Sequence, residues 1–147
     1  MIQIVGFNLK KINAEKVTEI KTKDKLEIKS NFSFSDVKEE DIDISKDKRI
    51  LGFSFTFDVN YEPKIASIRF EGLVLLMMDE KEAKDILKEW KKKKVREDIR
   101  ILLYNQILLR CSVKALQIEE EFSIPFHIPM PRFTPESQKQ PGQNYAG

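Results

Sequence analysis

The sequence predicts an α+β fold in which a four-stranded antiparallel sheet is followed by helices. In the first half of the chain, apolar and polar residues alternate with a period of two, which is typical of strands with one buried face. From residue 79 onward, apolar residues recur every three or four positions, as they do on a helix. No glycine or proline interrupts residues 95–121, whereas prolines recur from residue 125 and end regular structure there.

The first two predicted strands are residues 2–12 and 25–35. The second is the clearer of the two because its residues alternate almost without exception. Its predicted inner face carries Leu26, Ile28, Ser30, Phe32 and Phe34. The charged segment 36–48 that follows is predicted to be a solvated loop.

The third and fourth predicted strands are residues 50–61 and 65–78, joined by a turn at Glu62-Pro63. The inner face of the third strand carries Leu51, Phe53, Phe55, Phe57, Val59 and Tyr61. The fourth strand begins with the same alternation and then becomes apolar on both faces from Leu73 to Met78. We therefore expect the end of this strand to be covered on both sides.

A short helix is predicted after the fourth strand. Asp79 is the expected N-cap, and Glu82 three residues later is its expected capping-box partner. One face of this helix carries Ala83, Ile86, Leu87 and Trp90. The four lysines at 91–94 interrupt the apolar pattern and are predicted to be solvated.

The long helix predicted from Val95 to about Glu121 is the most informative element of the chain. Eight of the eleven residues from Ile101 to Cys111 are apolar or aromatic. An amphipathic helix needs an apolar stripe about 100° wide to cover a sheet, and this helix exceeds it. The additional apolar surface is expected either if the helix lies at the centre of a large core or if it forms an interface with a subunit or client. We favour the interface because little chain remains to form another layer.

The segment after this helix is predicted to dock in extended form, because apolar residues still alternate over residues 122–130. After Phe133 the composition becomes polar, which predicts a flexible tail over residues 134–147. We therefore expect one domain over residues 1–133.

Composition restricts the function classes. The 147 residues are 41% hydrophobic and 34% charged, which is typical of a single globular domain. A net charge of +2 predicts no nucleic-acid partner, and no apolar run reaches the ~18 residues that a membrane span needs. With a single cysteine and no basic leader at the first residues, we expect a cytoplasmic protein.

Residues with catalytic or metal-binding potential form no recognisable motif. The sequence has no glycine-rich phosphate loop and no cluster of histidines and cysteines with metal-ligand spacing. The lone His127 is interpreted as a packed or surface residue, and Cys111 as an inert core residue of the apolar helix. The acidic residues of the predicted loop are interpreted as solvated: Asp36, Glu39, Glu40, Asp41 and Asp43. We expect a protein that is not an enzyme and uses no cofactor or metal.

Over about residues 1–133, the sequence resembles the SecB family of export chaperones. The resemblance is carried by Phe53–Tyr61 (FSFTFDVNY), by Ala66–Leu76 with Gly72 after the strand centre, by Ile86-Leu87 and by the proline-rich segment Ile124–Phe133. It implies four antiparallel strands followed by helices and assembly as a dimer of dimers. It also implies that unfolded polypeptides are held in apolar grooves.

The sequence departs from the family in two places. The aromatic-proline-tyrosine-alanine-arginine stretch of the family's main helix is replaced by Arg100–Tyr104, and no second long helix is predicted after Phe133. Residues 134–147 have no counterpart of the segment that helps the family engage a motor ATPase. The resemblance is therefore to a divergent relative, and it does not extend to an export motor.

Two hypotheses of different classes follow. The first is an ATP-independent holdase that assembles as a homotetramer or homodimer. Its predicted client-binding residues are Leu73, Leu75, Met77, Leu102 and Tyr104. Phe53 and Phe55 join them if their sheet face is uncovered. The predicted oligomer interface is Leu103, Ile107, Leu109 and Val113. The second is a dedicated interaction protein with one partner, such as a SecB-like toxin–antitoxin chaperone. A small-ligand β-cup would need convergent polar groups, which the sequence does not suggest.

Overall fold

The computed structural model describes residues 2–20 and 25–135. Its elements in chain order are β1 (Gln3–Lys16), β2 (Glu27–Glu40), β3 (Lys48–Glu62), β4 (Ala66–Asp79), α1 (Glu80–Trp90) and α2 (Glu97–Phe122). The strands form one antiparallel sheet in the order β1-β4-β3-β2, which confirms the predicted fold class. The predicted tail lies outside the described residues, apart from Thr134 and Pro135.

The second strand ends five residues later than the sequence predicted, so the assignment of residues 36–40 to a loop was wrong. Phe34 pairs with Phe55 and Asp36 pairs with Ser54, so Ser35 is an extra residue in the ladder. Such a bulge shifts the alternation by one position. It returns Val37 to the inner face of the sheet, opposite Phe53, where its side chain is 4% exposed.

Both helices cover the same face of the sheet. The inner faces of β3 and β4 are fully buried and form one core with residues of α1 and α2. The helix residues that complete this core are Ala83, Ile86, Ile99, Leu103, Ile107, Cys111 and Ala115. The inward-facing set predicted for β3 is confirmed in full, because all six of its residues are buried.

The outer face of β4 is not covered as the sequence predicted. Leu73, Leu75 and Met77 point away from the helices and are only partly buried. Leu75 lies between Gly6 on β1 and Gly52 on β3, neither of which has a side chain to cover it. At this end of β4, the described chain therefore covers the inner face of the strand and leaves the outer face uncovered.

The start of α1 also differs from the prediction. Asp79 is the N-cap residue, but its side chain makes no capping hydrogen bond to the helix. Its carboxylate instead accepts a hydrogen bond from the Lys48 ammonium at 2.7 Å, which lowers the pKa of Asp79. The attraction of the lysine charge thus replaces the predicted capping box.

The long helix α2 begins and ends within two residues of its predicted bounds. It crosses the sheet diagonally, since Tyr104 contacts Phe32 on β2 whereas Arg110 lies over Phe7 on β1. Over the part of the chain that the structure describes, no helix is long and apolar enough to span a membrane.

Candidate functional site

A groove runs between the edge strand β2 and the helical layer, and we call it the β2 groove. It has two adjoining parts, of about 440 Å³ and 450 Å³, which share Phe32 and Arg100. Its lining residues are Ser30, Asn31, Phe32, Ser33, Phe34, Trp90, Lys93, Val95, Arg100, Ile101, Tyr104 and Asn105. The groove therefore follows β2 and is closed on its other side by the end of α1 and the first turns of α2.

Aromatic side chains form the apolar surface of the β2 groove. The Phe32 ring meets the Phe34 ring edge to face at 4.8 Å between centroids, and it meets the Tyr104 ring in the same way at 5.1 Å. Phe34 in turn packs against the buried Phe53. The rings that line the groove are only partly buried in this chain, so they retain apolar surface for another molecule.

The groove lies beside a free sheet edge. β2 pairs with β3 on one side and has no strand on its other side among residues 2–20 and 25–135. An edge strand presents backbone N–H and C=O groups that lack ladder partners and that an extended peptide can pair with. The β2 groove thus combines unpaired backbone groups with pockets lined by aromatic rings.

No protein-family model and no curated protein match this sequence. A solved structure with a similar fold is the SecB-like chaperone Rv1957 of Mycobacterium tuberculosis, in complex with a ChAD peptide from the HigA1 antitoxin Rv1956. The match covers 90% of each chain with a TM-score of 0.53, at 14% sequence identity. The fold is SecB-like. At this identity the likeness concerns the fold alone, and the SecB-like architecture agrees with the resemblance seen in the sequence.

The structure does not bring the predicted client-binding residues into one groove. Tyr104 lines the β2 groove. Phe53 and Phe55 lie beneath the helices and are at most 1% exposed, because the sheet face that carries them is covered. The three predicted β4 residues, Leu73, Leu75 and Met77, lie on the opposite face of the sheet. Leu102 is exposed on α2 but is not among the residues that line the groove.

The predicted interface residues on α2 also separate into two sets. Leu103 and Ile107 are fully buried against the sheet of their own chain, which corrects their assignment to a subunit interface. Leu109 and Val113 point outward and are 64% and 53% exposed. Residues seven apart on a helix share a face, which explains why Leu102 and Leu109 both belong to the outer side.

The sequence reasoning missed the main lining residues of the β2 groove. Phe32 and Phe34 were predicted to lie on the inner face of the second strand and Trp90 on the apolar face of α1, and none of the three was assigned to a binding surface. To find them, one would have to know the order of the strands in the sheet. Inner-face residues of an edge strand are covered less completely than those of a central strand. Strand order depends on contacts far apart in the chain and could not be read from the alternation.

A buried polar network holds the segment after α2. The Glu119 carboxylate is fully buried and accepts a hydrogen bond from the Tyr61 hydroxyl at 2.6 Å. The His127 ring nitrogen Nδ1 lies 2.8 Å from the same carboxylate, and its Nε2 lies 3.2 Å from the Ser112 hydroxyl. Burial and the neighbouring carboxylate raise the pKa of Tyr61 far above its usual range. The tyrosine therefore stays neutral and can act as a donor.

This network determines which side chains of the segment after α2 face the protein. The alternation had predicted that residues 122–130 dock in extended form. Ile124 is buried, but Phe126, Ile128 and Met130 are exposed. The inward position belongs instead to His127, whose side chain is 2% exposed. Contacts of the His127 ring with Glu119 and Ser112 therefore dock this segment together with the apolar contact of Ile124.

Ser112, His127 and Glu119 have the connectivity of a serine-hydrolase triad, and their surroundings favour a structural role. A nucleophilic serine needs nearby backbone N–H groups that are free to stabilise an oxyanion. Ser112 lies in the middle of α2, where neighbouring N–H groups are engaged in the helix. Its side chain is 9% exposed and faces the docked segment. We therefore interpret the three residues as a latch for residues 123–128.

Proposed function

We propose that this protein is an ATP-independent holdase that binds extended, apolar segments of unfolded polypeptides in the β2 groove. The observation that carries the proposal is the line of partly buried aromatic rings beside a free sheet edge. A bound segment would pair its backbone with β2 and bury side chains against Phe32, Phe34 and Tyr104. Burial of each large apolar side chain contributes roughly 1.5–3 kcal/mol.

The proposal includes an oligomer. The outer side of α2 carries an apolar stripe formed by Leu102, Leu109 and Val113. Exposed apolar side chains in such a stripe favour burial against a second copy of the chain. A cytoplasmic location and the absence of catalysis, both predicted from the sequence, belong to the same proposal.

The direct test measures protection and binding with groove variants. Tyr104→Ser and Phe32→Ser remove groove surface, and Phe133→Ser is the matched control because Phe133 is an 85% exposed aromatic residue outside the groove. We expect the wild-type protein and the control to suppress light scattering by a chemically denatured test protein without nucleotide. We expect the two groove variants to suppress it several-fold less. Equal protection by all four proteins would place client binding elsewhere.

A dedicated chaperone with one partner is the second candidate. It is supported by the similar structure, which was solved with a peptide from one antitoxin. Both candidates use the β2 groove, and they differ in the number of different proteins that they bind. Protection of several unrelated denatured proteins at equimolar concentration supports the general holdase. Tight binding of a single partner recovered from the native host, without such protection, supports the dedicated chaperone.

A further inference from the structure

Two cations line the β2 groove, and its described lining contains no acidic residue. Arg100 lies where the two parts of the groove meet, and Lys93 lies at the end that also contains Trp90 and Phe34. Neither cation forms an ion pair with a described residue, although other surface cations such as Lys48 and Arg96 do. The groove is therefore positively charged at its Trp90 end and at its centre, and uncharged at the end lined by Ile101 and Asn105.

The position of Lys93 is set by its backbone. Lys93 lies in the turn between the two helices, and its N–H donates to the carbonyl of Trp90 at 2.7 Å. Its φ of 59° lies in the left-handed region, which favours glycine over other residues. The lysine ammonium lies 4.7 Å from the centroid of the Trp90 ring. A cation–π contact thus holds this charge at the mouth of the groove instead of leaving it extended into water.

We infer that the β2 groove selects extended segments whose aromatic or aliphatic residues are flanked by an acidic residue at the Trp90 end. This inference rests on the proposed function and specifies its substrate class. A bound apolar segment excludes water from the groove, which strengthens the attraction between a segment carboxylate and the two unpaired cations. Charge complementarity of this kind determines which segments bind and how fast.

A polypeptide fits these features better than a nucleic acid, although aromatic rings beside cations can also stack bases. Nucleic-acid affinity comes mainly from several phosphate contacts, and this groove offers two cations. The unpaired backbone groups of β2 match a peptide backbone, which alternates donors and acceptors at the same spacing. The groove extends along β2 from Ser30 to Phe34, so it matches about five residues of an extended peptide.

The test uses fluorescently labelled peptides that share one aromatic core and differ only in a flanking residue, which is Asp, Asn or Lys. Anisotropy titrations at low salt give each dissociation constant. We expect the Asp peptide to bind about three- to tenfold more tightly than the Asn peptide, and the Lys peptide to bind most weakly. The preference should shrink at high salt because the charges are partly exposed.

Variants assign the preference to the two cations. Lys93→Gln and Arg100→Gln should each reduce the Asp-over-Asn ratio of affinities, and circular dichroism spectra that match the wild type show that each variant is folded. Arg100→Lys should retain most of the preference. Lys38→Gln is the charge-matched control because Lys38 lies on the outer face of β2, away from the groove. It should leave every peptide affinity unchanged.

Each contrary result has a separate meaning. If none of the peptides binds, the proposed function fails. If all three bind equally, or if the preference survives Lys93→Gln and Arg100→Gln, the proposed function stands and the charge selectivity is overturned. If an oligothymidine displaces the Asn peptide, and Lys93→Gln abolishes that displacement, the ligand class is a nucleic acid and the inference is overturned.

Discussion

The rings of Phe32 and Tyr104 meet edge to face with centroids 5.1 Å apart and planes at 84°. This contact joins the edge strand β2 to α2 and forms part of the β2 groove. Ring pairs in this geometry contribute about 0.5–1.5 kcal/mol beyond the area they bury. The same pair therefore contributes to the stability of the fold and to the surface of the β2 groove.

A double-mutant cycle with Phe32→Leu and Tyr104→Leu tests this contact. We expect the two substitutions to be non-additive by about 0.5–1.5 kcal/mol in the free energy of unfolding, measured by urea denaturation. Leucine keeps an apolar side chain at both positions, so the coupling reports the ring geometry. Additive effects would show that the rings do not interact in solution.

The buried carboxylate of Glu119 should be far more important for stability than its exposed neighbour. Glu119→Ala leaves the Tyr61 hydroxyl and the His127 ring without their shared acceptor inside the protein. The Tyr61 hydroxyl keeps the Pro125 carbonyl as an acceptor, so we expect a loss of about 1–3 kcal/mol in the free energy of unfolding. Glu120→Ala, on the exposed side of the same helix turn, should change it by no more than about 0.5 kcal/mol. Comparable effects of the two substitutions would contradict the latch.

Gly72 is required because two neighbours approach it closely. A Cβ atom at this position would lie 2.6 Å from the carbonyl oxygen of Asn8 and 2.8 Å from the Phe55 ring. Gly72→Ala should therefore cost about 1–3 kcal/mol, since the β1 backbone at Asn8 and the Phe55 ring would both have to move. Gly6→Ala is the control, because its Cβ would meet only the Leu75 side chain, with Cδ1 nearest at 3.0 Å and Cβ and Cγ at 3.4 Å. Thermal unfolding of both variants gives the comparison.

The exposed stripe on α2 should control assembly. Leu109→Asp and Val113→Asp place charges on the outer side of the helix, where neither side chain contributes to the core of its own chain. We expect light-scattering masses to fall toward that of a single chain, while circular dichroism remains unchanged. Lys114→Asp, an adjacent exposed position, should leave the mass as it is in the wild-type protein. Unchanged masses for the first two variants would move the interface elsewhere.

Cys111 should make stability fall at high pH. Its burial raises the pKa of the thiol to about 12, above an ordinary value of 9.0. The unfolded chain therefore loses this proton first, so the stability contribution is complete below about pH 9 and is lost as the pH rises toward about 12. We expect the difference in unfolding free energy between wild type and Cys111→Ala to decline by up to about 1 kcal/mol per pH unit in that range. If the difference in unfolding free energy between wild type and Cys111→Ala stayed constant from pH 8 to pH 11, the raised pKa of the thiol would be contradicted.

Much of the local structure could be predicted from residue patterns because it depends on neighbours in the chain. Helix α2 was predicted within two residues, and the inner face of β3 was predicted completely. The end of β2 was not, because the bulge at Ser35 breaks the period of two and makes residues 36–40 look irregular. The capping box at Asp79 failed because Lys48, 31 residues away in the sequence, binds the same carboxylate.

The sequence by itself determined the fold class, the succession of strands and helices along the chain, and an apolar surface on α2 larger than one sheet needs. Only the tertiary structure decided that β2 is an edge strand, that Phe32 and Phe34 line a groove beside Tyr104, and that Leu103 and Ile107 belong to the core. It also decided that His127 and Glu119 meet in the interior. Periodicity shows that a side chain is on one face of its element, but strand order and the diagonal crossing of α2 determine what lies opposite that face. Those arrangements arise from contacts between distant parts of the chain.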